Sequence, residues 1–443
     1  MKRKMIAVLA VLALLVLDGG AAAAAGVPTA AKSMTITEGK KKPIKVRGKL
    51  IKSKSFKSSD KKVAKVSKKG VVTAIKRGRC NVTATVKYRR SKKSKKVYTK
   101  KLKVAIIVNK SEEPSSKPSE TERPTSDEGS RAADESVVRK LIEEQRERGA
   151  GETAAWEDLD NSEFYEWDAQ TGRLTGISWQ GCGLKGDISF RGLSALKNLS
   201  VSGNSLTGLD VSGNGNLTEL LCNENNLTEL NTGENKALRV LDCYTNSLEK
   251  LDVDGNVSLS ELYCGRNRLA SLSVQKNKKL LSLYCDGNSL TALDVGGNVS
   301  LRELKCSDNL LTALDVSGNQ ELADLKCNGN RLTELKIGDL SNLTVLHCYG
   351  NLLTSLDVSG STKLMELHCS DNLLAELSVS KNPDLCYLYC DNNRLTGLEL
   401  KGAVGLSELS CRGNLLSEID ISDCAGLQVW LTDDGVQMIR KDF

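Results

Sequence analysis

Eleven asparagines stand 21 residues apart, from Asn204, Asn225 and Asn246 through to Asn393 and Asn414. Ten of them have a cysteine three positions earlier, Cys222 through Cys411, and the first has Val201 there. Each unit reads L-x-x-L-x-C-x-x-N-x-L-x-x-L-x-V followed by five variable residues, over Leu196 to Gly426. A fixed period of this length describes stacked coils. Each is too small to bury its own apolar side, so the interior exists only where neighbours lie on one another.

Alternation gives the path of one coil. Leu220 and Cys222 point one way while Glu219, Leu221 and Asn223 point the other, as a strand requires. Stacked strands then make a parallel sheet with one face inward and one open. Asn225 stands where the chain leaves the strand, and its amide can satisfy backbone groups that no sheet partner reaches. Leu227, Leu230 and Thr232 (Val or Ile in most coils) refill the interior. Twenty-one residues leave no room for a full helix, so extended or short strand-like backs are expected.

This unit fits the leucine-rich repeat consensus. Its L-x-C-x-x-N-x-L-T-x-L-D-V-S-x-N form, as in Leu304 to Asn319, resembles the internalin-J-like cysteine-ladder repeats of bacterial surface proteins. The likeness covers roughly residues 152–443. It implies a secreted or wall-associated binding protein, often an adhesin, of a Gram-positive-type bacterium, and it names no ligand.

Fourteen cysteines in an exported chain would ordinarily suggest disulfides. Ten of them, however, take a core position given to Leu in other leucine-rich repeats. Stacked Cβ atoms at the ~4.8 Å strand spacing are also too far apart for disulfide geometry. They read as free thiols filling a narrow core. A single file buried among leucines does not offer a tetrahedral metal site.

The N-terminal part has a different composition. Residues 1–25 read as a signal peptide, with Lys2, Arg3 and Lys4, the apolar run Met5 to Leu17, and Ala23-Ala24-Ala25 before a cleavage site near Ala25. Thirteen apolar residues are too few to span a bilayer, and no later stretch qualifies. Residues 32–108 read as a small β domain, since Cys80, Val82, Ala84 and Val86 alternate, as do Leu102, Val104, Ile106 and Val108. Lys69-Gly70 supplies a turn. The run Ser58 to Val66, with Gly70 to Ala74 and Gly78, resembles the group 2 bacterial immunoglobulin-like domain, whose members serve as stalks or wall-proximal spacers.

Between Lys32 and Lys110 stand 29 Lys or Arg against two acids, Glu38 and Asp60, in a chain whose total is +8. A module this lopsided is expected to meet a polyanion. Export, and few rings to stack on bases (Phe56, Tyr88, Tyr98), favour an anionic cell-wall polymer over nucleic acid. Residues 109–133, with Pro114, Pro118 and Pro124 among Ser, Glu and Thr, read as a disordered linker. Residues 134–195 read as an N-terminal cap and a degenerate first repeat. A helix is expected from Asp134 to Arg148, and Trp179 and Cys182 take the cysteine and asparagine positions. Residues 196–426 are the repeats, and 427–443 a C-terminal cap. The fold class is mainly β: an Ig-like sandwich, then a solenoid of 21-residue coils on a parallel sheet, with a short helical cap.

The open sheet face is where such a solenoid binds. Six of the nine tyrosines fall on it. Their amphipathic rings suit recognition, although Tyr also favours exposed strands in general. Two aromatic patches are expected, Tyr244/Tyr263/Tyr284 and His347/Tyr349/His368/Tyr387/Tyr389, separated by Lys305 and Lys326. A protein or a glycan ligand fits equally well. His347 and His368 with Glu366 could chelate a metal, but on a flat open face the site reads as weak, so no metal or cofactor is expected. Glu303 and Asp324 are expected to be exposed, with nothing to raise either pKa. No Gly-rich phosphate loop, HExxH or G-x-S-x-G motif occurs, and the chain reads as no enzyme. The expectation is a monomeric, adhesin-like binding protein with no membrane span. The competing reading is a structural wall or surface-layer protein without a specific ligand.

Overall fold

The computed structural model describes residues 33–37, 41–44, 51–76, 78–88, 97–109, 129–150 and 156–440. The expected signal peptide lies outside them, as does most of the expected linker. The chain forms two units, Met1–Pro124 and Thr125–Phe443.

The first unit is a small β-sandwich. Its strands are β1 (Ser33–Thr37), β2 (Lys41–Pro43), β3 (Ile51–Ser58), β4 (Ala64–Val66), β5 (Val71–Ala74), β6 (Gly78–Tyr88) and β7 (Tyr98–Asn109). One sheet has the order β1-β7-β6-β3, the other β2-β5-β4, and every pair is antiparallel except β1 with β7. Alternation explains the core. Cys80, Val82, Ala84 and Val86 on β6 and Val104, Ile106 and Val108 on β7 are buried, with Val82 opposite Val104. Gly70 has φ +83°, and a Cβ there would lie 2.6 Å from the Phe56 ring, so both backbone and space require glycine.

The second unit is the solenoid. Three-residue strands build a sheet of fourteen, from Tyr165–Trp167 at one end to Val429–Leu431 at the other, parallel throughout except for the first pair. On the other side of the coils lie short two-stranded parallel ladders, such as Ala313–Asp315 with Glu334–Lys336. The extended backs expected from the short period are therefore present. Leucines and valines of every coil fill one continuous core. The nine ladder cysteines from Cys222 to Cys390 have no solvent exposure, and all fourteen cysteines are free thiols.

Each asparagine of the ladder ties its own coil to the one before. The Nδ2 of Asn309 donates to the carbonyls of Cys285, Cys306 and Ser307, and its Oδ1 accepts from the Leu290 N–H at 2.9 Å. The same set recurs from Asn225 to Asn414. The residue before the asparagine has a positive φ in all eleven coils. Five are glycines (Gly203, Gly287, Gly329, Gly350, Gly413) and six are not, Thr245 at φ 53° among them.

The five residues read as variable contain a second buried ladder. Asn214, Asn235, Asn256, Asn277, Asn298, Asn319 and Asn382 keep the same 21-residue register and have no exposure. The Nδ2 of Asn298 donates to the carbonyls of Val274 and Asn277 at 3.0 and 2.9 Å. These amides hold the coils together at the turn on the far side of the core.

The helix begins earlier than expected, at Arg131 rather than Asp134, and runs to Glu147. Ser130 caps it, its hydroxyl accepting from the Ala133 N–H. Asp134 is instead a buried clamp. Its carboxylate takes a two-pronged contact from Arg173, at 2.8 and 3.0 Å, and accepts the Leu174 N–H at 2.9 Å. Ile177 lies opposite Leu199, so the degenerate first coil is in register, with Trp179 fully buried against Trp156. At the far end, Val429–Leu431 and Gln437–Ile439 add one strand to each side, and Trp430 stays 37% exposed. Asp433 accepts the Gly413 and Asn414 N–H groups.

Candidate functional site

Register brings one column of side chains onto the open face. Tyr263, Tyr284, Lys305, Lys326, His347, His368 and Tyr389 are successive partners across neighbouring strands. The leucines between the columns point inward in every strand, because successive side chains alternate. Tyr349 and Tyr387 are exposed, and Tyr244, Tyr263, Tyr284, Lys305, Lys326, His347, His368 and Tyr389 are half-buried.

In the first patch Tyr263 and Tyr284 meet edge to face, with ring centroids 4.8 Å apart. Lys305 places its ammonium 3.9 Å from the Tyr284 centroid. Tyr244 stands differently. It lies over Gly265 and donates its hydroxyl to Asp286 at 2.5 Å, two coils away. The Tyr263 hydroxyl donates to Glu261 at 2.7 Å, and that of Tyr284 to Glu303. Burial, then these carboxylates, push the phenols up, Tyr244 to about 12 and Tyr263 and Tyr284 further. The face is thus a lattice of rings pinned by acids. A spacing argument shows the rings but not the pins.

The second patch is tighter. His347 and His368 stack with centroids 4.4 Å apart, and His368 meets Tyr389 edge-on at 4.2 Å. Tyr349 lies 6.4 Å from both imidazoles. Burial and neighbouring His347 lower the His368 pKa. Tyr387, 44% exposed, stands at the rim. Between the patches Lys326 lies 3.9 Å from Asp324.

The expectation of exposed acids fails here. Glu303 and Asp324 are both half-buried, and burial raises the Asp324 pKa because one carboxylate oxygen is sealed without a hydrogen bond. The strand places Asp324 beneath its longer neighbours, which an alternation pattern does not reveal. Ser410 and Asn328, which the period also places on this face, are buried as well. Asp391 and Ser307 hold them through hydrogen bonds.

Residues 23–97 match the bacterial Ig-like domain (group 2). The functional domain of InlJ from Listeria monocytogenes, which includes a cysteine ladder, is 32% identical, with 60% of this chain and 64% of that chain covered and a TM-score of 0.52. This chain therefore spans slightly under two thirds of that structure. The leucine-rich-repeat ectodomain of the receptor kinase GASSHO1/SCHENGEN3 from Arabidopsis thaliana is 22% identical, covering 60% of this chain and 36% of that one, with a TM-score of 0.52. No curated protein matches the chain. An N-terminal Ig-like domain is thus fused to a leucine-rich-repeat solenoid with regularly spaced buried cysteines, and the whole resembles internalin-family proteins at low identity. The fold is that of leucine-rich-repeat proteins, and among the described residues no helix is long and apolar enough to cross a membrane.

Proposed function

We propose that this is an exported, internalin-J-like recognition protein of a bacterial surface, binding an extracellular protein or glycan on the open sheet face. The observation that carries this reading is the unbroken column from Tyr263 to Tyr389, in which aromatic, cationic and imidazole side chains face outward on a rigid sheet. Rigid rings lose little entropy on binding, and their hydroxyls are already aimed by acids. The contact residues are Tyr244, Tyr263, Tyr284, Lys305, Lys326, His347, Tyr349, His368, Tyr387 and Tyr389.

The basic Ig-like module serves in this reading to hold the protein to anionic wall polymer. Lys61, Lys62, Lys65, Lys68 and Lys69 all stand exposed around the β4 strand, as a polyanion would need. Retention on isolated wall material should weaken steeply as salt rises. Reversing these five charges should weaken it too.

The test of recognition is an array of glycans and extracellular proteins probed with the full chain and with two Tyr-to-Ser variants, one per patch. Binding that is lost with either patch supports the proposal. An array with no hit, or a hit indifferent to both variants, favours a structural surface protein. The hydroxyl pins to Glu261 and Glu303 would then serve only to stiffen the stack.

A further inference from the structure

Strands Val345–His347 and Glu366–His368 run side by side, with His347 opposite His368. One carboxylate oxygen of Glu366 bridges the Nε2 edges of the two stacked rings. This Oε1 lies 2.9 Å from the His347 Nε2 and 3.2 Å from the His368 Nε2. Donor atoms of all three residues fall within 4.8 Å of one another. The side chains are 16%, 34% and 29% exposed, so the focus is shielded by protein yet open on one side. Tyr349 and Tyr389 pack around it.

We propose that His347, Glu366 and His368 form a binding site for a divalent transition-metal ion of the zinc class. Zinc bonds of ~2.0–2.2 Å to nitrogen and oxygen in a tetrahedron put neighbouring donor atoms about 3.3 Å apart. Both nitrogen-to-oxygen separations here are close to that value. Two imidazoles and one carboxylate select zinc-like ions over calcium or magnesium, which require cages of oxygen. Three protein donors leave the outward position for water or for a donor atom of a bound partner. The nearby cation Lys326 is drawn towards Asp324, whose carboxylate offsets its charge.

The site shares His347 and His368 with the recognition proposal, but its test needs no macromolecular ligand, so either proposal can fail without the other. From sequence alone these residues read as a weak site on a flat face; the proposal departs from that reading because one Glu366 oxygen contacts the Nε2 atoms of both imidazoles.

The chain has only two histidines, so the untagged protein reports on the site directly. Zn2+ titration followed by imidazole nitrogen resonances should perturb both Nε2 atoms at one ion per chain. Co2+ should give a nitrogen and oxygen ligand-field spectrum without thiolate charge-transfer bands. Affinity should fall roughly tenfold or more in His347→Ala, His368→Ala and Glu366→Gln, with circular dichroism unchanged, and stay constant in Glu376→Gln, an exposed carboxylate on a different strand. Absence of saturable Zn2+ binding overturns the proposal. So does binding that survives in the double variant His347→Ala/His368→Ala, or a thiolate spectrum. In those cases the cluster is a hydrogen-bonded staple between two coils.

Discussion

The Thr232 hydroxyl donates to the Oδ1 of Asn256 at 2.8 Å in the fully buried interior of the solenoid. Elsewhere in the second ladder the position 24 residues before the asparagine is mostly valine. The Oδ1 atoms of Asn235, Asn277, Asn298, Asn319 and Asn382 are buried with no partner. A buried acceptor left unpaired costs about 1–3 kcal/mol. Val274→Thr should supply the missing donor to Asn298, leaving stability within about 0.5 kcal/mol of the parent, where an unpartnered buried hydroxyl costs about 1–3 kcal/mol. Val316→Thr is the control, since Leu340 stands where its acceptor would be, and it should incur that cost in full. Thr232→Val should lose about 1 kcal/mol. Denaturant midpoints of the three variants decide the matter.

A second set of variants tests the turn before the first ladder. Thr245 holds φ 53°, a left-handed conformation that costs a β-branched residue about 1–2 kcal/mol. Glycine adopts it freely but gives up about 0.5–1 kcal/mol in chain entropy. Thr245→Gly should therefore stabilise by about 0.5–1 kcal/mol, and Gly350→Thr should destabilise by about the same 0.5–1 kcal/mol. Thermal unfolding of both checks the sign.

The thiols set an alkaline limit. Burial raises each of the nine ladder thiols, Cys222 to Cys390 at 21-residue spacing, above its ordinary value near 9. The folded pKa exceeds the unfolded one, so the thiols' contribution is complete below about pH 8.5 and is lost as pH rises. Each thiol ionised only in the unfolded chain removes about 1.4 kcal/mol per pH unit. Nine acting together should collapse the solenoid between roughly pH 9 and 10, and alanine at three of them should move that edge upward. Loss of far-ultraviolet circular dichroism against pH is the measurement.

At neutral pH the same burial should hide them from reagents. Cys386 is the one half-exposed cysteine among fourteen. A colorimetric thiol count should give about one fast equivalent in native protein and the remainder only in denaturant. Cys386→Ser should abolish the fast phase. A fast count well above one would place ladder thiols outside the core.

Gly265 gives Tyr244 its place. A Cβ there would stand 2.3 Å from the Tyr244 ring and 2.8 Å from Asp286. Gly265→Ala should expel the ring and break the Tyr244–Asp286 hydrogen bond, at a cost of about 0.5–1.5 kcal/mol. The Tyr244 phenol should then titrate below about 12, where burial and Asp286 now hold it. Phenolate absorbance of parent and variant reports this directly.

Much of this was legible in the period alone. Strand positions, inward cysteines and the first asparagine ladder follow from a repeat that leaves each side chain one place to go. The second ladder was equally periodic, at Asn235, Asn256 and Asn277, but Leu340, Ser361 and Ala403 interrupt it, and the interruptions made the five residues read as variable. The column of face residues was legible too, since register follows from the period. What those residues do to each other was not. Tyr244 reaching Asp286 across two coils, Glu366 bridging the Nε2 edges of two imidazoles and Asp324 sinking out of solvent depend on rotamers chosen among neighbours. The Asp134–Arg173 clamp joins residues from outside the periodic region, where no spacing rule applies.

The first ladder also has a polarity. Each asparagine serves backbone groups of the coil before it, so a coil's Leu N–H meets its amide acceptor only 19 residues later, and its cysteine carbonyl gains a second amide donor only 24 residues later. A chain made from its N-terminus would always carry one unfinished storey, the newest, and each arrival would seal the floor below. Cutting the stack anywhere exposes a different wound on each side: orphaned donors and acceptors on the N-terminal fragment, surplus amides on the other. At the last floor Asp433, with its two oxygens on Gly413 and Asn414, does part of that sealing without a successor.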